Sequence, residues 1–446
     1  MLDRHFRLAA HGTSVRTEVL AGVTTFLTMA YVIFVQPSVL STDVMGRPTG
    51  LDFGAVLVAT CLGSAFASIF MGLYARYPIA LAPGMGENFF FVTVVMGLVA
   101  LGVPDPWKTA LGMVFLSGLA FIVLTFLRVR EALIDAISPS MRNGIAAGIG
   151  LFIAFIGLRN GGLIVGKPGT LLGLTAELRS LDVAVFVAGL LATSMLLVRR
   201  VRGALLWGIL LAAALSMVAG KVSLSGVVGF PVVRQNAVFA MDVVGALRPE
   251  LAPFVIVFLF MGLFDTVGTL VGVSEQAGLL ENGRLPRANR ALLVDATAIT
   301  AGACLGTSTI TCYIESAAGV AEGGRTGLTA VVTGALFLLA LLFGPLVEAV
   351  GRYPPITAPA LVLVGVMMMQ NARKVAWEDP SEAVPVFLTI AGIPLSYSIA
   401  DGLALGFVSY PIVKLLGGRG REVGWLAYVM AVLLLAYFLG VRHRLG

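Results

Sequence analysis

Long apolar runs alternate along this chain with short charged loops. Runs of membrane-crossing length fit residues 17–37, 53–74, 109–127, 140–158, 182–198 and 203–220, then 253–273, 288–305, 326–343 and 356–371. A helix needs roughly 20 apolar residues to cross a bilayer, and these runs are close to that. A more polar stretch, residues 221–250, separates two halves. Three runs close the chain: 384–396, 398–416 and 424–440. Pro385 and Pro394 make the first of these a candidate half-span or surface helix, because proline opposes a helix interior.

Two further elements are interrupted. Arg76-Tyr-Pro-Ile-Ala-Leu-Ala-Pro-Gly-Met-Gly-Glu-Asn-Phe-Phe-Phe91 carries Pro78 and Pro83. Ile79 to Ala82 therefore suits an extended segment, and a short helix can begin near Gly84 or Gly86. The second, Gly306 to Arg325, is β-branched from Ser308 to Tyr313 and small from Ser316 to Ala321, with Glu315 at the junction. It predicts a short strand followed by a half-helix. Extended backbone in a membrane leaves N–H and C=O groups that lipid cannot satisfy, so it survives only against protein or a wet cavity. Both elements, 79–97 and 308–322, stand third in their halves. An odd count of about seven spans per half inverts the second half, and paired broken helices point to a midplane binding site. The pattern thus predicts an all-α polytopic membrane protein of about fourteen segments, with two short strands in broken segments three and ten.

Composition agrees. The 446 residues are 58% hydrophobic and only 12% charged, against about 25% charged in soluble domains. The net charge of +6 reads as loop chemistry, not nucleic-acid binding. Arg128 and Arg130, then Arg199, Arg200 and Arg202, then Arg284, Arg287 and Arg290, then Arg373 and Lys374 mark alternate loops. The positive-inside rule places those loops, and the N-terminus with Arg4, Arg7 and Arg16, in the cytoplasm of a cell with this protein in its inner membrane. Arg419 and Arg421 fit that pattern less well and leave the last spans open. Cys61, Cys304 and Cys312 form no disulfide or metal pattern. The only histidines, His5, His11 and His443, lie near the ends, which excludes a buried His relay. The first sixteen residues are basic and polar, so no cleaved leader is expected.

A charge at the bilayer centre costs at least about 2.5–3.5 kcal/mol, which singles out Glu87, Asp265 and Glu315. Asp265 either faces a solute or bonds a neighbouring Thr or Ser. Glu315 and Glu87 either face a cavity or cap half-helices. Asn88 offers a donor and an acceptor to a heterocycle edge, or caps the same short helix. Phe89 or Phe264 can stack on a flat ring. Thr25, Thr28 and Tyr31 line the cavity or join helices. Asp295 and Asp401 read as helix-interface groups. Acids without an intramembrane Lys or Arg repel an anion and welcome a solute rich in N–H donors. Burial makes a carboxyl hold its proton more tightly, so protons can be the coupling ion. No cofactor or metal is implied. An anion transporter, a membrane enzyme and a non-transporting sensor are the rival readings. The first wants an Arg near the tenth-segment strand. The second wants a nucleophile with its base, or a metal cluster.

Six motifs together resemble the nucleobase–cation symporter family that includes the nucleobase–ascorbate transporters, and within it the AzgA-like adenine, guanine and hypoxanthine permeases. They are Ala21-Gly-Val-Thr-Thr-Phe-Leu-Thr-Met-Ala-Tyr31, Ala82-Pro-Gly-Met-Gly86, Leu263-Phe-Asp-Thr-Val-Gly-Thr269, Gly306-Thr-Ser-Thr309, Tyr313-Ile-Glu-Ser-Ala-Ala-Gly319 and Tyr397-Ser-Ile-Ala-Asp-Gly402. The resemblance implies purine uptake coupled to protons by an elevator-like motion, as a homodimer. It implies two inverted repeats, with a core domain from residues 1–130 and 251–345 and a gate domain from 131–222 and 346–446. It places substrate contacts on Asp265, Glu315, Gly86, Asn88 and Phe89. The first two carboxyls, with Glu87, are the candidate proton carriers. Three positions depart from the branch: Glu87 and Phe89 stand where it usually has Leu and Ala, and Gln36 where it has Asn.

Overall fold

A computed structural model describes residues 5–43, 46–127, 138–167, 169–279 and 285–436. Arg4, Arg128, Arg130, Arg284 and the segment 133–137 lie outside the described residues. The first span is two helices, α1 (Val15–Met29) and α2 (Val32–Ser41), broken at Ala30 and Tyr31. It runs past Gln36-Pro37, where the apolar run suggested an end. Helix α3 (Phe53–Phe70) leads through a wider turn to β1 (Leu81–Pro83) and α4 (Met85–Ala100), followed by α5 (Pro106–Phe126). Helices α6 (Pro139–Asn160), α7 (Leu181–Val198) and α8 (Ala204–Val218) complete the first half. A surface hairpin, β2 (Ile164–Lys167) with β3 (Leu171–Leu174), joins α6 to α7.

After a short helix α9 (Val243–Ala246), the second half repeats the plan. It has α10 (Ala252–Gln276), α11 (Ala288–Leu305), β4 (Ile310–Cys312), α12 (Ser316–Ala321) and α13 (Gly327–Ala340). Then follow α14 (Gly344–Gly351), α15 (Pro354–Met369), α16 (Pro380–Ser396), α17 (Ile399–Leu416) and α18 (Trp425–Ala436). Among the described residues eight helices are long and apolar enough to cross a membrane, and α4, α8, α13 and α16 are shorter apolar ones. The fold is that of a polytopic helical membrane protein with two broken strand–helix segments.

The last third corrects one expectation. Residues 380–396 are neither a half-span nor a surface helix. They form one continuous helix despite Pro385 and Pro394. The reason is packing. Gly144 and Gly148 on α6 leave no room for a side chain, so Val386, Ile390 and Ile393 of α16 sit directly on that helix. Close van der Waals contact of this kind drives helix association in lipid and outweighs the hydrogen bonds that the prolines omit.

Helices pack in two sets. α1, α3, α5, α10, α11 and α13 surround the strands, while α6, α7, α8, α15, α16 and α17 pack on one another. At one end of the first set the charges gather. Arg202 pairs with Glu322 at 2.6 Å. Arg287 and Arg290 lie over the Tyr77 and Tyr74 rings, and His5 reaches the Leu73 carbonyl. His5, Arg202, Arg287 and Arg290, from three of the basic segments, thus gather at this end.

The same end holds an acid that the sequence did not single out. Glu18 is fully buried on α1. Its carboxylate accepts from the backbone N–H groups of Arg325, Thr326 and Thr329, and from Thr329 Oγ1 at 2.6 Å. It caps α13 from a distant helix, meeting donors that a helix start otherwise leaves unpaired. Glu18→Ala should lower the stability of the detergent-solubilised protein by about 1–3 kcal/mol, the cost of stranding buried donors. Glu18→Gln should cost less, and thermal melts of the two variants check the order.

Candidate binding site

The two broken segments meet. Strands β1 and β4 pair antiparallel, with Leu81 opposite Cys312, Ala82 opposite Thr311 and Pro83 opposite Ile310. The pairing extends beyond the strands: Gly84 N donates to the Thr309 carbonyl and Tyr313 N to the Ala80 carbonyl, at 2.9 and 3.0 Å. Side chains take up the outer edges. Ser68 on α3 both donates to the Leu81 carbonyl and accepts from its N–H, and Ser316 accepts from Ala80 N. All six strand residues are buried. The ladder and these hydroxyls thus meet backbone needs that lipid could not.

The acids cluster around this pair. Asp265 lies midway along α10, and Thr311 Oγ1 of β4 donates to its Oδ2 at 3.0 Å. Glu315 stands just before α12 without a side-chain cap bond, and its Oε1 accepts from the Tyr31 hydroxyl at 2.9 Å. Thr28 Oγ1 reaches the Glu315 carbonyl at 3.4 Å. Tyr31 belongs to the break between α1 and α2, so the interruption of the first span places a donor on the acid of the tenth. Glu87 is buried in the first turn of α4. Asp295 is buried behind β4, with Cys312 Sγ 3.8 Å from its Oδ1. Cations do occur within expected spans: Arg142 and Arg290 near span ends, and Lys414, buried near the far end of α17. Lys414 is paired there with Glu382 at 2.8 Å and Glu422 at 3.1 Å. Asp401, by contrast, lies in the first turn of α17.

A buried amide network ties the halves together. Gln36 Nε2 donates to Thr307 Oγ1 and to Ser308 Oγ, each at 3.0 Å. Asn88 Nδ2 donates to Gln36 Oε1, and Ser308 Oγ donates to Asn88 Oδ1. Asn88 therefore spends its amide on α2 and on the approach to β4. Gln36 is the hub, and its extra methylene over Asn fits it to span three elements.

Other candidates fall around the same pair. Phe89 is buried edge-on against Phe152 of α6, with ring centroids 5.9 Å apart. Phe152 in turn meets Tyr397, so this is where the two helix sets touch beside the acids. Gly86 abuts Ile149 of α6. Thr25 is buried next to Gly319 of α12, and its hydroxyl has no hydrogen-bond partner among the described residues. The Phe264 side chain lies outside the described residues.

Asp265 is accessible although it sits mid-helix. An accessible stripe runs from it through Gly268 and Val271 to Glu275, toward the end where the basic loops gather. Positions three or four apart share a helix face, so the stripe is one continuous track. A side chain at Gly268 would meet nothing within 4 Å. A family model described as the permease family matches residues 16–405. The chain belongs to the nucleobase–ascorbate transporter family of permeases. Over 433 residues it is 44% identical to the adenine permease AdeQ of Escherichia coli K12, covering 97% of this chain and 95% of that one. Over 446 residues it is 44% identical to the guanine/hypoxanthine permease PbuG of Bacillus subtilis 168, covering 98% and 99%. Among solved structures, the transmembrane domain of the cyanobacterial bicarbonate transporter BicA superposes with a TM-score of 0.65 at 15% identity. That match covers 88% of this chain and 97% of the other. It carries the fold alone, and as a permease this chain fits that membrane-transporter fold.

Two outcomes test the geometry. Gln36→Leu should destabilise the purified permease by about 1–3 kcal/mol, since Asn88 and Ser308 lose buried partners. Chemical or thermal melts read the loss, and Gln36→Asn should fall between. Gly268→Cys should react with a membrane-impermeant thiol reagent applied to the side bearing the basic loops. Protection of that cysteine from water on both sides would show that the stripe faces lipid.

Proposed function

We propose that this permease imports a purine base, adenine, guanine or hypoxanthine, together with protons. The observation that carries the reading is the placement of Asp265 and Glu315 around one strand pair, with Thr311 and Tyr31 as their hydrogen-bond partners and, among the described residues, no cation paired with either. Ionised carboxylates only accept hydrogen bonds, so the site suits a neutral ring edged with N–H groups. It does not suit a permanent anion, which favours a base over the cargo of an anion transporter. The relatives' names, adenine permease and guanine/hypoxanthine permease, support the same class. In this reading Asp265 and Glu315 grip ring N–H groups. Thr25 and backbone groups near Gly86 meet the remaining edge, and Phe89 and Phe264 flank the ring. Asn88 positions β1 and β4 through Gln36 and Ser308.

A carboxyl that loads a proton as the solute binds makes the loaded site neutral, and a neutral site crosses the membrane at less cost. Asp265 and Glu315 carry the coupling proton in this proposal. The helices around the strands form the core and those built on α6 and α15 the gate. The core slides against the gate at the Phe89–Phe152 contact. The stripe below Asp265 is the cytoplasmic path, with the N-terminus on that side of the plasma membrane. The working unit is a homodimer, as the resemblance implies.

Uptake of radiolabelled adenine, guanine, hypoxanthine and uracil tests this. Losing a charge-assisted hydrogen bond worth about 1.5–3 kcal/mol predicts that Asp265→Asn and Glu315→Gln each lose roughly tenfold or more of purine uptake. Undiminished uptake in both variants would remove the assignment of the site. Uptake that ignores an imposed pH gradient would remove the proton.

A further inference from the structure

Glu87 is the acid that the mechanism above leaves unused. It is 3% exposed in the first turn of α4. Three ionisable groups lie near it: Asp265 on α10, Asp295 on α11 and Tyr313 just after β4. None of them is a cation. A buried carboxyl among acids is an expensive arrangement unless it holds a proton for part of the time.

The backbone shows where such a proton can go. A Cβ added to Gly84 would sit 2.9 Å from the Glu87 carboxyl carbon and 3.0 Å from Thr311 Oγ1. Both groups thus border the small space that the missing side chain of Gly84 leaves. On its other side the same Thr311 hydroxyl donates to Asp265 at 3.0 Å. Thr311 therefore stands between an accessible acid and a buried one.

We propose that Glu87 is a second proton-carrying residue of the transport cycle, reached from Asp265 through the Thr311 hydroxyl. The proposal rests on the proton-coupled reading above and moves the proton of Asp265 onto Glu87 while the solute is bound, so that it is carried and not lost to the cytoplasm or the outside. In the transfer, protonated Asp265 gives its proton to Thr311 Oγ as the Thr311 hydroxyl proton passes to a Glu87 oxygen. Asp265 ends ionised and free to accept a ring N–H, Glu87 ends neutral, and Thr311 is unchanged. Glu87 takes the proton at the moment when the solute claims Asp265, and returns it when the solute leaves.

The test is the proton-to-solute ratio, read from the reversal potential of purine-coupled proton flux in proteoliposomes of full-length protein. Wild type should carry one proton more per purine than Glu87→Gln. Thr311→Val keeps both carboxyls but cuts the path, and should show the same lower ratio. Gly84→Ala places a methyl between Glu87 and Thr311 and provides a third variant should either of the others fold poorly. A ratio unchanged in Glu87→Gln overturns the proposal while leaving the purine-permease reading standing. So does a variant that changes only base preference or apparent affinity, since that makes Glu87 a solute contact. A ratio unchanged in Thr311→Val removes the path through the hydroxyl. Wild-type purine uptake with no proton flux overturns both readings. A first-turn acid also suits the helix dipole, but loss of a cap lowers stability and leaves the ratio where it was.

Discussion

A backbone cannot stay unpaired inside a bilayer, and the pairing of β1 with β4 is how this protein meets that constraint. Each strand comes from a segment that proline, glycine or β-branched residues prevent from being a plain helix. Neither could exist alone at that depth. Together they exchange hydrogen bonds from Ala80 to Gly84 against Thr309 to Tyr313. The partners lie more than two hundred residues apart, so the two halves of the chain must both be folded before either broken segment is stable.

Once that pair exists, much of the polar chemistry is built on it. Ser68 and Ser316 finish the strand edges. Gln36 and Asn88 hold the approach to β4 against α2 and α4. Thr311 points its hydroxyl at Asp265, and the break in the first span brings Tyr31 to Glu315. These are separate side chains on six elements, yet each is positioned relative to the same few residues of extended backbone. Short strands are stiffer references than loops, which suits side chains that must be placed from several elements at once.

The cost of this arrangement is a set of acids at depth, and the structure answers it with hydroxyls and open space more than with cations. Lys414 is buried, but with Glu382 and Glu422 in the other helix set. Glu18 is satisfied by backbone N–H groups at the start of α13. Around the strands the donors are Thr311 and Tyr31, and Asp265 lies at one end of the exposed stripe past Gly268.

The apolar runs, the two interruptions and the three acids were legible in the sequence because each is a local property. Hydropathy reports a span. Pro78 and Pro83, or the β-branched stretch from Ser308, report where a helix cannot continue. Ser316 to Ala321 was readable as a half-helix from its small residues alone. The prolines of α16 misled for the same reason: they describe local strain, whereas Gly144 and Gly148 on a different helix supply the packing that overrides it. Only the tertiary structure decided the register that puts Ala82 opposite Thr311. It also decided the commitment of Asn88 to Gln36 and Ser308, the burial of Glu18 as a cap for α13, and the meeting of Tyr31 with Glu315. Those facts depend on how two inverted halves dock, and that docking is set by the summed packing of many helices. No stretch of residues read by itself contains it.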